Sequence, residues 1–317
     1  MDWQPRATLG LLRARAALLD RIRRFFASRN ILEVETPLLC HSGITDPAIE
    51  PLMVERGRSL RRPRYLQTSP EYAMKRLLAC YGEPIFQLAR AFRDGEAGGR
   101  HNPEFTLLEW YRPGFDHHAL MAEVAELVRH CLGDRPVHSY RYRQLFREVL
   151  ALDPFTASTT ELEALARASL DPGSMTGDRD LWLDLLMSHL IEPQLAGRGM
   201  CFVYDYPASQ AALARITEVD GVPVGHRFEL YVDGMELANG YLELLDTTEQ
   251  RQRFESDNAR RREVGLPERA LDEHLLAALD HGMPSCSGVA LGVDRLLMLA
   301  TGVEDIREVL AFDWDRA

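Results

Sequence analysis

The 317-residue chain reads as an α+β fold, an antiparallel sheet flanked by helices. Three observations predict it. Asp233-Gly234 sits between alternating residues and is a two-residue hairpin signal. The runs IFQLARAFRD and PEFTLLEWYRP read as a second strand pair around GEAGGRHN, a loop with three glycines. Apolar residues at helical spacing recur between and around these strands.

From the N-terminus, Leu12, Leu19, Ile22 and Phe26 predict an amphipathic helix over 8–29, with Asn30 suited to a left-handed C-terminal position. ILEVETPLL follows, with Pro37 in an extended segment that fits a sheet edge or an interface. YLQTSPEYAMKRLLACYG reads as a strand and then a helix, with Ser69 as N-cap, Pro70 at the first helical position and Gly82 just past the end. Residues 116–195 are mostly helical by pattern, an insertion beside the sheet in which Asp116 caps one helix and Glu192-Pro193 closes another. Strand signal returns over 200–245. A polar helix opens at Asp246 with Glu249 completing a capping box, and CSGVALGVDRLLMLATG reads as a strand running into a buried helix. No repeat, low-complexity tract or linker interrupts the chain, so one domain over 1–317 is expected.

A hydrophobic fraction of 46 % supports a large core and excludes disorder. The five cysteines form no C-x-x-C pair, which argues against a zinc knuckle or a disulfide framework and for reduced, mostly core thiols. No apolar run approaches the roughly 18 residues of a membrane span, and the first residues lack a signal-peptide core, so a cytoplasmic protein with no membrane partner is expected. The net charge of −11 argues against a surface dominated by nucleic-acid binding. Of the 37 basic residues all but Lys75 are arginine, a pattern of genome composition rather than of anion binding, so each arginine needs its own support.

The chemistry-bearing residues fall in three places. Glu229, Glu236 and Glu243 lie seven apart in an otherwise apolar stretch, and carboxylates there need a cation to meet them. The Asp233-Gly234 turn pairs Val232 with Met235, Tyr231 with Glu236 and Glu229 with Ala238. Glu229, Tyr231, Glu236 and Ala238 then share a face, with the two glutamates roughly 7 Å apart. They can hold one divalent cation such as magnesium on a polyphosphate, or be solvated on an exposed face. The earlier hairpin offers Arg93, Arg100 and His101 for phosphate oxygens and Phe105 for stacking on a base. Alternation sets Phe105, Leu107, Glu109 and Tyr111 on one face, an aromatic platform giving way to an acidic, hydroxyl-bearing end. In GVALGVDR, small residues before Arg295 let backbone approach a ligand. Each of these alone is more often structural than functional.

Together the residues match a family. EVETPLL with Pro37, FRDGEAGGRHNPEFT and GVALGVDR resemble motifs 1, 2 and 3 of the class II aminoacyl-tRNA synthetases, and RHNPEFT and MELANGYLEL are similar to its lysyl branch. The resemblance covers roughly residues 8–317 and implies the class II catalytic fold, with a homodimer built on the motif 1 helix and Pro37. The anticodon-reading barrel of lysyl-tRNA synthetases has no counterpart, since the first catalytic helix is expected within ten residues of Met1. This truncated arrangement resembles the bacterial ligases that attach β-lysine to a lysine of translation elongation factor P.

The resemblance further implies roles. Arg93 contacts the α-phosphate of ATP, with Asp94, Gly95, His101 and Leu237 along the nucleotide and Arg100 and Arg295 near the β and γ groups. Adenine sits between Phe105 and Arg295 with Asn102 nearby, and Gly292 admits the nucleotide. Arg93 and Arg295 are the catalytic pair. Glu229 and Glu236 hold Mg2+. Glu71, with Ser69 and Pro70, meets the backbone-type ammonium of lysine or β-lysine, and Tyr111, Glu109, Asn239 and Glu243 surround its side-chain ammonium.

Two positions depart from the lysyl pattern. Asp94-Gly95-Glu96 replaces Asn-Glu-Gly, so Glu96 or a backbone carbonyl must take the adenine amino group. Ala290 replaces a glycine, and its methyl is expected to favour a β-ammonium over an α-ammonium. The implied chemistry is formation of an acyl-adenylate followed by attack of a protein lysine of elongation factor P, without tRNA. A minimal synthetase acylating tRNA, a non-catalytic paralogue, and an ammonia-type ligase such as asparagine synthetase are the rivals. The non-catalytic reading predicts losses among Arg93, Arg295, Glu229 and Glu236, and the ammonia-type reading predicts loss of the acid at 243.

Overall fold

A computed structural model of the chain describes residues 3–57 and 60–317, which form two compact units. The first comprises the described residues up to Phe115, His130–Leu132 and Leu245–Ala317; the second is Asp116–Arg129 and Gly133–Leu244.

In the first unit the expected N-terminal helix spans Leu9–Ala27, and Thr8 caps it by accepting from the Leu11 N–H. Its inward face is Leu18, Ile22, Phe25 and Phe26. Phe26 stacks on Phe86 at 4.3 Å and meets the edge of Trp110 at 5.3 Å, which fixes the helix against the sheet. Asn30 takes the left-handed conformation, φ 54°, that its short polar side chain tolerates.

That sheet is built on Glu104–Pro113, hydrogen-bonded antiparallel to Ile85–Phe92 on one side and to Cys286–Gly292 on the other. Leu32–Glu33 adds a parallel edge to Ile85–Phe92, so the sheet is mixed rather than purely antiparallel. A smaller sheet joins Leu39–Cys40, Arg64–Leu66 and Met53–Val54.

Helix Glu71–Tyr81 ends as expected at Gly82, φ 68°, but Ser69 is not its N-cap. Pro70 stands at that position without a side-chain bond, and its carbonyl accepts the first turn's bond from Met74 N–H. The polar helix spans Thr247–Glu263 with Asp246 as cap. Its capping box is only half made: Glu249 N–H donates to Asp246, but the Glu249 carboxylate turns to Arg253 one turn on. The strand Cys286–Gly292 runs directly into the buried helix Val293–Thr301.

One carboxylate ties these elements together. Asp294, 2 % exposed, accepts from Thr106 N–H at 2.7 Å and from the Arg15 guanidinium, linking the first helix, the central strand and the helix Val293–Thr301. Glu50 similarly receives Arg261, which is fully buried, and Arg269.

In the second unit lie the helices His117–Leu132 (through Arg129), Tyr142–Leu150, Thr159–Ser169 and Arg179–Leu186, and Asp116 caps the first. Glu192-Pro193 begins a short 3-10 turn after a π-turn at Met187–Ile191. The pattern missed the strand Val137–Arg141, which pairs parallel with Met200–Pro207. From there the order runs to Val222–Val232 and Met235–Leu242, with Ile216–Val219 also pairing with Val222–Val232. The helices from Tyr142 onward share a core with the strands. Trp182, Leu183, Phe146 and Leu162 share one cluster with Cys201, Val203, Tyr206 and Tyr231 from the strands.

All five cysteines are free; Cys131, Cys201 and Cys286 are buried, Cys40 is half-buried and Cys80 is exposed. Among the described residues no helix is long and apolar enough to cross a membrane.

Removing the Asp294 carboxylate leaves a buried N–H and a guanidinium without it, so Asp294→Ala is expected to lower unfolding free energy by about 3–5 kcal/mol in urea titration. Arg23→Ala, which breaks an exposed pair with Glu33, is expected to change it by less than about 1 kcal/mol.

Candidate functional site

Each unit carries one part of the predicted set. In the first, pairing along both edges of Glu104–Pro113 fixes its pleat, so Phe105, Leu107, Glu109 and Tyr111 share a face as expected. Opposite them across the Cys286–Gly292 edge stand Gly292 at Leu107, Ala290 at Glu109 and Gly288 at Tyr111. The residues opposite its acidic end are small. Glu109 and Tyr111 are both 2 % exposed, and the Tyr111 hydroxyl donates to Glu109 Oε1 at 2.7 Å.

At the other end, Arg93 lies with its guanidinium carbon 5.1 Å from the centre of the Phe105 ring, within cation–π range. It also reaches the Thr68 carbonyl at 3.4 Å and Glu96 at 3.6 Å. Arg295 donates to the Arg100 carbonyl at 3.3 Å and pairs with His101 Nε2 at 2.7 Å. Burial lowers the His101 pKa, and the charges of Arg295, Arg93 and Arg100 lower it further against Glu96. The imidazole is therefore an acceptor amid three guanidinium groups, a positive field suited to a polyphosphate. A Cβ at Gly292 would meet the Arg295 side chain at 3.7 Å, an ordinary van der Waals contact, so the packing of Arg295 does not itself require a glycine there.

Asp94 and Gly95 form the exposed start of the loop, with Gly95 at φ 77°. Asn102 proves structural in part: its amide donates to the Glu104 carbonyl and its oxygen accepts from Trp314 N–H, holding the loop to the C-terminal segment. Ser69 and Pro70 precede the helix on which Glu71 stands. Glu71 Oε1 accepts from Lys75 Nζ at 2.6 Å, so the chain's single lysine, 2 % exposed, is a buried partner to a predicted substrate carboxylate.

In the second unit the hairpin forms with both turn residues at positive φ, Asp233 at 50° and Gly234 at 79°. Val232 faces Met235 and Tyr231 faces Glu236 as predicted. Beyond them a bulge breaks the expected register: Leu230 pairs with Ala238 and Glu229 with Asn239. Ala238 therefore leaves the shared face and Asn239 joins it, because one extra residue reverses the alternation.

The cation that meets Glu229 is a side chain. Glu229 is 7 % exposed and accepts from the Arg227 guanidinium, from Tyr206 at 2.7 Å, from Tyr231, and from the Asn239 amide at 3.4 Å. A carboxylate offers about four acceptor positions, and these four donors meet Glu229 beside the cavity that Glu236 also lines. Burial, then the Glu229 charge, raises the Tyr206 and Tyr231 pKa values and keeps both phenols as donors. Glu236 lines the same cavity of about 340 Å³, with Tyr142 and Asp184. Burial pushes Asp184 up to about 6 despite nearby Arg227. Leu237 is the buried residue at the bulge. Glu243, 1 % exposed, bridges through its backbone to Ala214.

Arg227, Tyr206, Tyr231 and Asp184 were not anticipated as partners. Arg227 stands two residues before Glu229 and was legible from alternation; Tyr206 and Asp184 come from distant segments and were not.

The sequence matches the family model "tRNA synthetases class II (D, K and N)" over residues 1–316. It is 50 % identical over 320 residues to a protein of Pseudoalteromonas translucida named elongation factor P (R)-beta-lysine ligase, covering 99 % of this chain and 98 % of that one. Proteins of the same name from Salmonella arizonae and Edwardsiella ictaluri are 50 % and 49 % identical, over 99 % and 100 % of this chain and 98 % of each of theirs. With the mixed sheet, the three motif segments and a match across nearly the full length, the chain belongs to the class II tRNA synthetases of the D, K and N group.

Proposed function

We propose that this chain activates (R)-β-lysine with ATP and transfers it to a lysine side chain of translation elongation factor P in the cytoplasm. The observation that carries the reading is the face of Glu104–Pro113, where Phe105 beneath Arg93 gives way to the Tyr111–Glu109 pair opposite Ala290. The printed names of the relatives support the acceptor and the amino acid. The match over residues 1–316 supports a single catalytic domain to which both units belong.

In the first step a substrate carboxylate oxygen bonds to the α-phosphorus of ATP as the bond to pyrophosphate breaks. Arg93 stabilises charge at the α-phosphate, and Arg295 and Arg100 hold the outer phosphates. Phe105 carries the adenine. Asp94 and Gly95 shape the loop around it, and Glu96 or a backbone carbonyl takes its amino group. Glu71 with Lys75 orients the backbone-type ammonium beside Ser69 and Pro70, while Glu109 and Tyr111 receive the side-chain ammonium; in the second unit, Asn239 and Glu243 are the residues we assign to substrate. Magnesium would arrive with ATP and neutralise phosphate charge; in the second unit, Glu229 and Glu236 are the carboxylates we assign to a metal ion. In the second step the lysine amine of elongation factor P attacks the adenylate carbonyl, forming an amide and releasing AMP. No protein nucleophile is required; positioning and fixed charge do the chemistry.

Exposed apolar side chains at Leu32, Leu38, Leu39 and Met53 lie on the short edge segments of the first unit, around the exposed Pro37. We assign this patch to a homodimer interface.

Pyrophosphate exchange is expected to proceed with β-lysine ahead of α-lysine, and Arg93→Ala to slow it about 10²-fold. Ala290→Gly is expected to narrow the preference for β-lysine; an unchanged ratio would remove that role for Ala290. Given the adenylate and both acceptors, the protein is expected to label elongation factor P, and transfer to tRNA alone would refute the reading. Light scattering at micromolar concentration is expected to give twice the chain mass of 36.0 kDa, and a monomer would dispose of the dimer.

A further inference from the structure

The second unit also holds a polar cluster for which the reaction has no use. His117 opens the helix His117–Leu132, Asp205 lies near the end of Met200–Pro207, and His226 stands on Val222–Val232 where its register with Met200–Pro207 shifts. Asp205 Oδ1 is 3.7 Å from His117 Nε2 and 3.4 Å from His226 Nδ1. One ligand atom from each residue lies within 4.8 Å of the other two. His117 and Asp205 are 5 % and 6 % exposed. Yet both nitrogens of His117, Nδ1 of His226 and Oδ1 of Asp205 are buried without a hydrogen bond.

Buried polar atoms left unpaired cost about 1–3 kcal/mol each, and three of them converging from three residues, His117 Nε2, His226 Nδ1 and Asp205 Oδ1, call for a shared partner. The outer atoms of His226 and Asp205 are already engaged. His226 Nε2 is 2.7 Å from Thr217 Oγ1, which turns Nδ1 inward. Asp205 Oδ2 lies 3.6 Å from Arg141 Nε, and Arg141 is anchored on Asp220 at 2.7 Å. Such outer contacts orient metal ligands. Exposed His118 lies tilted against His117 at 4.1 Å and, with Tyr204, rims the cluster. Bonds of about 2.0–2.1 Å to zinc place tetrahedral ligand atoms about 3.3–3.4 Å apart, close to the two separations found here.

We propose that His117, Asp205 and His226 bind one divalent cation of the zinc class, completed by a water, which ties the start of the helix to two strands of the second unit. Two imidazoles and a carboxylate suit zinc or cobalt rather than magnesium, which prefers oxygen ligands. The site uses none of the residues assigned to ATP or lysine. Its role is structural, since two of its three ligands are closed to solvent.

The test uses the full chain stripped with chelator and then offered Zn2+ or Co2+ alone, without ATP. The wild type is expected to retain about one equivalent of Zn2+ after desalting, to show tetrahedral-type visible absorption with Co2+, and to melt at a higher temperature with the metal. His117→Gln/His226→Gln is expected to lose the equivalent, the absorption and the thermal shift together. The single His226→Gln change, at a side chain 15 % exposed, is checked for folding by circular dichroism and is expected to abolish the cobalt absorption. Failure of the wild type to retain metal, or equal retention by the folded His226→Gln protein, would overturn the proposal.

Discussion

Everything assigned to the nucleotide and the amino acid depends on a strand that cannot slip. Glu104–Pro113 is hydrogen-bonded along both edges, and a one-residue shift would turn Phe105, Glu109 and Tyr111 to the other face. Asp294 adds a fixed point by accepting from Thr106 N–H in the middle of this run while holding Arg15. A buried carboxylate so placed stabilises only while its partners remain, and that dependence makes it a register lock. The Gly292–Arg295 turn follows from the same geometry, because the helix that carries Arg295 begins where the edge strand ends.

The second unit solves a similar problem with a bulge. The extra residue after Glu236 brings Asn239 opposite Glu229, and Glu229 then gathers a guanidinium, two phenols and an amide. A neighbouring carboxylate, Glu236, lines the cavity beside this one. Glu229 and Glu236 thus both border this cavity, and the donors around Glu229 come from three strands. The helical segment contributes its core to those strands through Trp182 and its neighbours, so it supports the floor beneath Tyr206 and Tyr231.

Much of this was legible in the sequence, for local reasons. Asp233-Gly234 and Gly82 mark backbone conformations that few other residues adopt, and both stand where expected; Asn30 is left-handed but lies two residues beyond Ser28, which caps the first helix. Alternation placed Phe105 to Tyr111 correctly because both edges of that strand are paired. It failed at Glu229 and Ala238, where a bulge intervened that side-chain type does not announce. Ser69 was misread because local rules favour serine as a cap, whereas Pro70 occupies the position. Lys75 against Glu71 follows helical spacing and was readable. The partners of Glu229 from Tyr206, and the meeting of His117 with Asp205 and His226, join segments far apart in sequence, which only the fold brings together.

The most direct measurement is a crystal structure of the protein with a stable analogue of the β-lysyl adenylate. The account predicts the adenine ring against Phe105, the phosphate within hydrogen-bonding reach of Arg93, and the side-chain ammonium at Glu109 and Tyr111. An analogue bound away from that face of Glu104–Pro113, or seated with its ammonium toward Arg93, would contradict it.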